Sequence, residues 1–301
     1  MPSLRNCPVC GCGIEKATLF QEENIDLKRI SDFSFASRKD PEFMCHRLYR
    51  CKGCDLVYVS NPPEDEQLAK AYHEANYDSA EEANDAANSY LIAMKSILAS
   101  LIEKNTVLEI GSGTGVLLEL MKEQGFNHLV GIEPSSAAIA AAPIHRKAWL
   151  KEGIFLESNY QTNSFDLICC FMTMEHVPDP LETAQAAFRL LKPGGAFVTV
   201  THNYQSLVNR ILGKRSPIID IEHMQLFSNK SILALFERAG FDKVSANPFF
   251  NRYSIAYWLR LTPLPKTIKK SLLKCLILTQ FENKKLSFNV GNTIAVGYKL
   301  K

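Results

Sequence analysis

From Thr106 onward, short apolar segments alternate with amphipathic ones, and this alternation constrains the fold more than any other feature of the chain. The predicted strands are 107–110, 129–132, 153–156, 165–171 and 196–200. The predicted helices are 116–123, 137–141, 181–191 and 230–239, the last ending at Gly240. Each helix returns the chain to the same end of the sheet, so strands alternating with helices pair in parallel. We therefore predict an α/β fold with a doubly wound parallel sheet.

A glycine-rich turn lies between the first strand and the first helix, in Glu109-Ile-Gly-Ser-Gly-Thr-Gly115. Glycines let the backbone bend sharply and approach a ligand closely, at the carboxyl edge where such sheets bind cofactors. Glu133 ends the second strand, 22 residues after Gly111. A carboxylate at that place can accept from both hydroxyls of a nucleoside ribose. The sequence therefore predicts a nucleoside-containing cofactor.

Five motifs, in order and spacing, resemble the class I S-adenosylmethionine-dependent methyltransferases. They read VLEIGSGTG at 107–115, GIEPS at 131–135, SFDLI at 164–168, EHVPDP at 175–180 and LKPGG at 191–195. NAD oxidoreductases share the glycine turn but do not show the last two motifs together. The resemblance covers about residues 100–245 and implies a Rossmann-like sheet of the seven-stranded methyltransferase type.

The resemblance also implies which residues hold S-adenosylmethionine. Gly111 and Gly113 would approach its methionine part, Glu109 would hold its amino group, and Glu133 its ribose. The full implied set is Glu109, Gly111, Ser112, Gly113, Gly115, Glu133, Pro134, Phe171 and Met172, with residues 171–174 lining the reactive sulfonium. Many relatives place an acid near the adenine after the third strand. Here only Glu157 is a candidate, so the adenine contact is left open.

Six of the nine cysteines fall within the first 54 residues, and four of them form two CxxC elements, Cys7–Cys10 and Cys51–Cys54. The turn in each element points two thiolates at one cation, and two such turns supply the four ligands of a closed zinc site. With short strands at 47–50 and 56–60, this predicts a small zinc-ribbon-like module in which zinc is structural. Alternative ligands are Cys12, Cys45 and His46, and cysteines without any metal are the other alternative.

We divide the chain into four parts. These are the zinc-ribbon-like module (1–60), a helical bridge or lid (61–104), the cofactor-binding domain (105–247) and a basic C-terminal extension that completes the domain (248–301). Tyr72 and Tyr77 of the bridge are interpreted as core aromatics, or alternatively as a lid over a neighbouring ligand. The chain shows neither a long apolar stretch nor a signal peptide, so we expect a cytoplasmic protein.

A second resemblance concerns the acceptor. It is to a branch of these enzymes, often encoded with surface-polysaccharide or sugar-modification pathways, that carries a cysteine-knuckle module before the methyltransferase domain. It rests on CPVCG at 7–11, YRCKGCDLVYVSNP at 49–62, EHMQLFS at 222–228 and GNTIAV at 291–296. The implied acceptor is a sugar or sugar-containing small molecule. Related NDP-sugar C-methyltransferases carry a further large domain that these 301 residues lack, which favours an oxygen or nitrogen acceptor.

Methylation of a hydroxyl is assisted by a base, and histidine suits that role near neutral pH. The candidates are His176, His202 and His223. His176 is alternatively a turn-stabilising residue, and His202 follows the fifth strand. We favour His223, whose ring Asp220 or Glu222 would orient while Leu226 and Phe227 anchor the segment.

The C-terminal end is basic, since residues 250–301 hold ten Lys or Arg against one acid, Glu282. A helix predicted over 263–281 sets lysines 266, 269, 270 and 274 against leucines and isoleucines. Such a helix could contact an anionic membrane, which would suit a lipid-linked sugar, but packing of its apolar side on the domain is the simpler interpretation.

Two other functions are compatible with these motifs. An RNA base methyltransferase could also join a zinc module to this domain. It would need a strong basic surface, however, and residues 61–104 are acidic, so a nucleic-acid partner is disfavoured. A non-catalytic cofactor-binding scaffold is the second alternative.

Overall fold

The computed structural model describes residues 4–31, 34–35, 42–74, 80–262 and 264–300, and Tyr77 lies outside them. The strands are β1 (Ala17–Gln21), β2 (Leu48–Cys51), β3 (Val57–Val59), β4 (Thr106–Ile110), β5 (His128–Glu133), β6 (Leu150–Glu152), β7 (Phe165–Phe171), β8 (Leu191–His202), β9 (Gln225–Leu226), β10 (Asp242–Ser254) and β11 (Lys285–Tyr298). The α-helices are α1 (Asp65–Glu74), α2 (Ala80–Ser100), α3 (Val116–Glu123), α4 (Ser136–Ala141), α5 (Ile144–Lys147), α6 (Pro180–Leu190), α7 (Leu207–Leu212), α8 (Asn229–Ala239), α9 (Ile255–Leu261) and α10 (Lys266–Leu278).

The larger sheet has seven strands in the order β10-β11-β8-β7-β4-β5-β6. Strands β6, β5, β4, β7 and β8 run parallel, whereas β11 is antiparallel to both of its neighbours. The strand order reverses between β4 and β7, and such a switch point leaves a crevice at the carboxyl ends of the strands. The predicted α/β fold is confirmed.

Helices cover both faces of this sheet. On one face α2 buries Tyr90, Met94 and Leu98, which recur every four residues as a core-facing helix requires. On the other face α6 and α8 contribute Leu190 and Phe236 to a second core. Helices packed on both faces hold the sheet rigid, so the loops that follow its strands are held close together at the carboxyl edge.

The third strand was predicted at 153–156, but β6 lies at Leu150–Glu152. Gly153 ends it at φ +126°, a conformation that side chains rarely adopt. Residues 154–156 then leave the sheet as an apolar wall. The sequence prediction was wrong here because the apolar run it relied on belongs to this wall.

A smaller sheet has the order β1-β2-β3-β9, and its last strand comes from the far side of the cofactor domain. Val57 pairs with Leu226, and the amide of Val59 donates to the carbonyl of Met224 at 2.9 Å. The Tyr204 hydroxyl donates to the carbonyl of Asp55 at 2.9 Å. The four-part division of the chain stays a prediction, but the N-terminal sheet is completed by a strand from residues 105–247.

Helix α10 does not bury its apolar side. Ile268 is 46% exposed, Leu272 43% and Leu273 37%, and only Leu276 is half-buried, so the interpretation that this side packs on the domain is wrong for most of its residues. Within the described residues, we find no helix long and apolar enough to cross a bilayer.

Candidate functional site

A cavity of about 680 Å³ opens at the carboxyl edge of the larger sheet. Strand ends contribute Ile110, Glu133, Phe171 and His202 to its wall. Helices α1, α2 and α9 close its sides with residues that include Tyr72, Tyr90 and Trp258. Side chains from distant parts of the chain therefore face one volume large enough for a cofactor and an acceptor.

The glycine turn forms one end of this cavity. Gly111 has φ +76°, and a Cβ there would lie 2.2 Å from Oγ1 of Thr173, so the turn admits no larger residue. The amides of Gly111 and Ser112 both donate to the carbonyl of Ile132, at 2.9 and 3.0 Å. Gly113 faces open space, with nothing within 4 Å of the position of a Cβ. The turn is thus held tightly on its sheet side and left open on its cavity side.

Two carboxylates lie beside this turn. Glu133 accepts from the amide of Gly113 at 2.7 Å and from the amide of Ser135 at 2.8 Å. Burial raises the pKa of Glu133. Burial, and then the charge of Glu133, also raise the pKa of Glu109, and one of its oxygens is buried without a hydrogen-bond partner among the described residues.

These carboxylates fit the cofactor that the sequence implies. A buried carboxylate oxygen without a donor costs free energy until a ligand supplies one. An ammonium group and ribose hydroxyls are such donors. The unpartnered oxygen of Glu109 and the open face of Gly113 therefore match a ligand that carries an amino acid part and a nucleoside part.

The residues implied for the cofactor converge on this end of the cavity. Those that line it are Glu109, Gly111, Ser112, Gly113, Glu133, Pro134, Phe171 and Met172. Gly115 does not line it; it begins α3 in a left-handed conformation. Met172 also has positive φ, +52°, while Met174 turns into the core. Their cofactor roles stay predictions.

Glu157 was the candidate for the adenine contact, but it lies outside the cavity lining. Arg189 binds its carboxylate with two hydrogen bonds, of 2.7 and 2.6 Å. The cavity wall next to the glycine turn is formed instead by Ile154, Phe155 and Leu156. A flat apolar ring could be accommodated there without an acid.

The three candidate histidines meet at the other end of the cavity, and all three line it. The ring centroids of His176 and His223 are 4.8 Å apart, and those of His202 and His223 are 5.5 Å apart. Desolvation lowers the pKa of His202 to about 4, so its imidazole is neutral at physiological pH. His176 and His223 are 47 positions apart in the sequence, with His202 between them, and the fold brings all three together.

The tautomers of two of these rings follow from their partners. Nδ1 of His223 lies 2.8 Å from the carbonyl oxygen of Ile218, which can only accept, so Nδ1 carries a proton and, in the neutral ring, Nε2 has the lone pair. Nδ1 of His202 donates in the same way to Oδ1 of Asn292 at 2.9 Å. The Nδ1 partner of His223 is thus a carbonyl, while a carboxylate oxygen of Glu222 lies within 4.8 Å of a ring nitrogen, so the expectation that Asp220 or Glu222 orients the ring stays a prediction.

Tyr72 reaches this cluster from α1. Its hydroxyl lies 2.9 Å from Nδ1 of His176 and donates to the carbonyl of Glu222 at 3.1 Å. Its hydroxyl is therefore part of the polar wall of the cavity, while its ring packs against the core cluster of Leu68 and Met224, so both interpretations of Tyr72 stay predictions. Leu226 and Phe227 are buried, as expected for the anchor of this segment.

Glu175 is a functional candidate that the sequence reasoning passed over. It is fully buried, and its carboxylate accepts from the amide of His202 at 2.6 Å. Burial raises the pKa of Glu175 to about 8. Its carbonyl also accepts from the amide of Met224 at 2.8 Å. Glu175 thus ties together the three segments that carry the histidines, and its place directly before His176 was the available signal.

The four predicted metal ligands form a separate, compact group. Their sulfurs lie within 4.8 Å of one another, with Cys7 and Cys54 at 3.5 Å and Cys10 and Cys51 at 3.4 Å. A zinc–sulfur distance of about 2.3 Å implies sulfurs roughly 3.8 Å apart in a tetrahedron. The spacing suits one zinc ion. In the described part of the chain, Cys45 and His46 do not join this group, whereas the thiol of Cys12 contacts those of Cys10 and Cys51.

Comparisons with known proteins agree with this geometry. A family model described as "Methyltransferase domain" matches residues 83–246. The ubiquinone biosynthesis O-methyltransferase of Pseudomonas fluorescens is 34% identical over 118 residues, which is 36% of this chain and 49% of that protein. The corresponding protein of Pseudomonas aeruginosa is 33% identical over 118 residues, again 36% of this chain and 49% of that protein. This chain thus spans about half the length of these curated relatives.

Among solved structures, a SAM-dependent methyltransferase from Thermotoga maritima, described as a possible histamine N-methyltransferase, aligns with a TM-score of 0.48. It is 20% identical, and the alignment covers 72% of this chain and 91% of that one.

Proposed function

Because the chain belongs to the methyltransferase domain family, we propose that it transfers a methyl group from S-adenosylmethionine to a hydroxyl or amine of a small molecule. The acceptor class that we favour is a sugar or a polysaccharide- or lipid-linked intermediate. One observation carries the proposal: a single cavity is lined both by the Glu109 and Glu133 carboxylates and by three imidazoles.

The carboxylates at the glycine turn suit a positively charged cofactor. S-adenosylmethionine supplies, when bound, a methyl group on a positively charged sulfur. Glu109 would hold its amino group with the oxygen that lacks a partner, and Glu133 would accept from its ribose hydroxyls. Phe171 and Met172 line the wall between the two ends, where an apolar surface excludes water from the reacting centre.

The tautomer of His223 suits a base that takes a proton from the acceptor. Nε2 of His223 carries a lone pair, because Nδ1 is committed to the carbonyl of Ile218. Nε2 is therefore the atom that would take the acceptor proton. His202, which desolvation keeps neutral, would accept a second hydrogen bond without adding a positive charge beside the first ring.

The relatives bear on the acceptor atom. They are named ubiquinone biosynthesis O-methyltransferases, which supports a hydroxyl rather than an amine. A phenolic hydroxyl is accordingly the second candidate, and the aromatic wall of Tyr253, Tyr257 and Trp258 favours a ring at this end.

We also infer that the four thiolates of Cys7, Cys10, Cys51 and Cys54 bind one structural zinc ion. The support is their spacing and their burial next to the core shared with the cofactor domain. A site with four protein ligands leaves no position for a substrate, so the metal would stabilise the fold. A cytoplasmic location, where thiols stay reduced, is part of this inference.

The test is methyl transfer from labelled S-adenosylmethionine to panels of nucleotide sugars, lipid-linked sugars and phenols. Label in a sugar-containing product supports the leading proposal, and label in a phenol alone supports the second candidate. Cofactor binding without transfer to any acceptor, including RNA, would instead indicate a scaffold. His223→Ala serves as the matched protein, because it should bind cofactor and lose transfer.

A further inference from the structure

Helix α10 is amphipathic yet presents its apolar residues to solvent. Ile268, Leu272 and Leu276 follow one another at four-residue spacing, which places them along one side. Ile268 and Leu272 are more than 40% exposed, and Leu278 at the end of the helix is 85% exposed. None of the described side chains of α10 is buried. A stripe this open on a folded protein marks a contact surface.

The segment 281–288, which follows this helix and begins β11, extends the same surface; together with the paired end of β10 we call it the hairpin. Phe281, Leu286 and Phe288 are each more than 40% exposed. Phe288 packs edge-on against Trp258, with ring centroids 5.2 Å apart, and the indole of Trp258 donates to the carbonyl of Leu286 at 2.9 Å. The exposed apolar residues of the hairpin are thus continuous with α9.

The charge of this surface is mainly positive. Lys270 and Lys274 of α10 are exposed, as is Lys284 of the hairpin. Residues 255–301 hold eight lysines and Arg260 against one acid, Glu282. Apolar residues flanked by lysines suit an anionic lipid surface, where the lysines meet headgroups and the apolar side chains enter the interface.

The surface also adjoins the cavity. Trp258 and Leu261 of α9 line the cavity wall, and α10 follows α9 along the chain after a short link. Val290 of β11, two residues beyond Phe288, lines the same wall. A surface that docks here would therefore lie at the side of the cavity that the acceptor end faces.

We propose that α10 and the adjoining end of the β10–β11 hairpin dock the protein on an anionic bilayer, next to the acceptor end of the cavity. The occupant is a lipid surface with phosphate headgroups, and the acceptor this arrangement suits is amphiphilic, with its reactive headgroup at the interface. The second part rests on the proposed function; the docking itself does not.

The experiment is vesicle co-sedimentation of the full chain. Vesicles of phosphatidylcholine are compared with vesicles that also contain phosphatidylglycerol. We expect binding only to the second kind, weakening as salt is raised. Lys270→Glu/Lys274→Glu should weaken binding by at least about tenfold, given about 1 kcal/mol per lysine near the surface. Leu272→Ser/Ile277→Ser should weaken it as well.

The matched control is Lys28→Glu/Lys104→Glu, which makes the same charge change at exposed lysines outside this surface. It should bind vesicles like the wild type. Calorimetry with S-adenosylmethionine confirms that each variant is folded, since none of these residues lines the cavity. If the control loses as much vesicle binding as the α10 variants, net charge alone explains the binding, and the proposal is overturned.

Two more outcomes would overturn it. The first is a wild-type protein that stays in solution with all vesicles. The second is a dimer, seen by light scattering, that Leu272→Ser/Ile277→Ser converts to a monomer while neither form binds vesicles. The second result would assign the surface to another copy of this chain. Methyl transfer to a water-soluble acceptor is measured in parallel, so that failure of docking and failure of the proposed activity are distinguished.

Discussion

The interaction that should contribute most to cofactor affinity is the one made by Glu133. Its two oxygens already accept from the amides of Gly113 and Ser135, yet a carboxylate offers about four lone-pair sites, so two ribose hydroxyls can bind as well. Hydrogen bonds to a charged acceptor contribute about 1.5–3 kcal/mol. Glu133→Ala should therefore weaken binding of S-adenosylmethionine by about 10- to 100-fold.

Glu133→Gln should not rescue this loss. The amide has one oxygen where the carboxylate has two, so its NH₂ group would face the N–H of Gly113 or of Ser135. Isothermal calorimetry with S-adenosylmethionine measures both variants. Glu152→Gln is the matched control, since Glu152 pairs with Glu133 in register on β6 and does not line the cavity. Affinity within twofold of wild type in Glu133→Ala, or tighter binding of NAD than of S-adenosylmethionine, would refute the assignment.

Three further predictions follow from the other groups. Purified protein should contain about one zinc per chain by elemental analysis, and a metal-free chain whose first 60 residues still resist protease would contradict the thiolate site. His223→Ala should keep cofactor affinity within about twofold while turnover falls by roughly 10²-fold, the lower end of general base catalysis; near-normal turnover would remove His223 from that role. The folded protein keeps the Glu175 proton up to about pH 8, whereas the unfolded chain loses it near its usual value of 4.5, so stability should fall as pH rises between them. Glu175→Gln should make that decline shallower by up to about 1.4 kcal/mol per pH unit in denaturant titrations, and an unchanged slope would show that Glu175 is ionised in the fold.

Local patterns predicted most of the larger sheet. The glycine turn, Glu133 and the apolar run of β7 are each readable from a few neighbouring residues, and the structure places them at one edge. The third strand failed because its short apolar run fits a strand and a cavity wall equally well. What distinguishes the two is the left-handed Gly153, whose φ depends on the pairing of β6 with β5.

The acceptor end was only partly predictable. The histidines were identified as candidates from their residue type and motifs. The group that holds the ring of His223 is the backbone carbonyl of Ile218, and since every residue has a backbone carbonyl, the sequence does not reveal this contact. The exposure of α10 was also beyond reach, because an amphipathic pattern looks the same whether its apolar side meets a core or a lipid surface.

The pairing of β9 with β3 connects the module that holds the thiolate cluster to the histidines of the cavity. Gln225, the first residue of β9, comes two residues after His223, and its side-chain amide donates to the carbonyls of Met174 and Val177 on either side of His176. Opening of the N-terminal sheet would therefore release the acceptor wall while leaving the glycine turn intact. In hydrogen exchange, the amides of 57–59 and 224–226 should open together as one unit. If the thiolates hold zinc as proposed, a chain stripped of that zinc should still bind the methyl donor but should lose recognition of the acceptor.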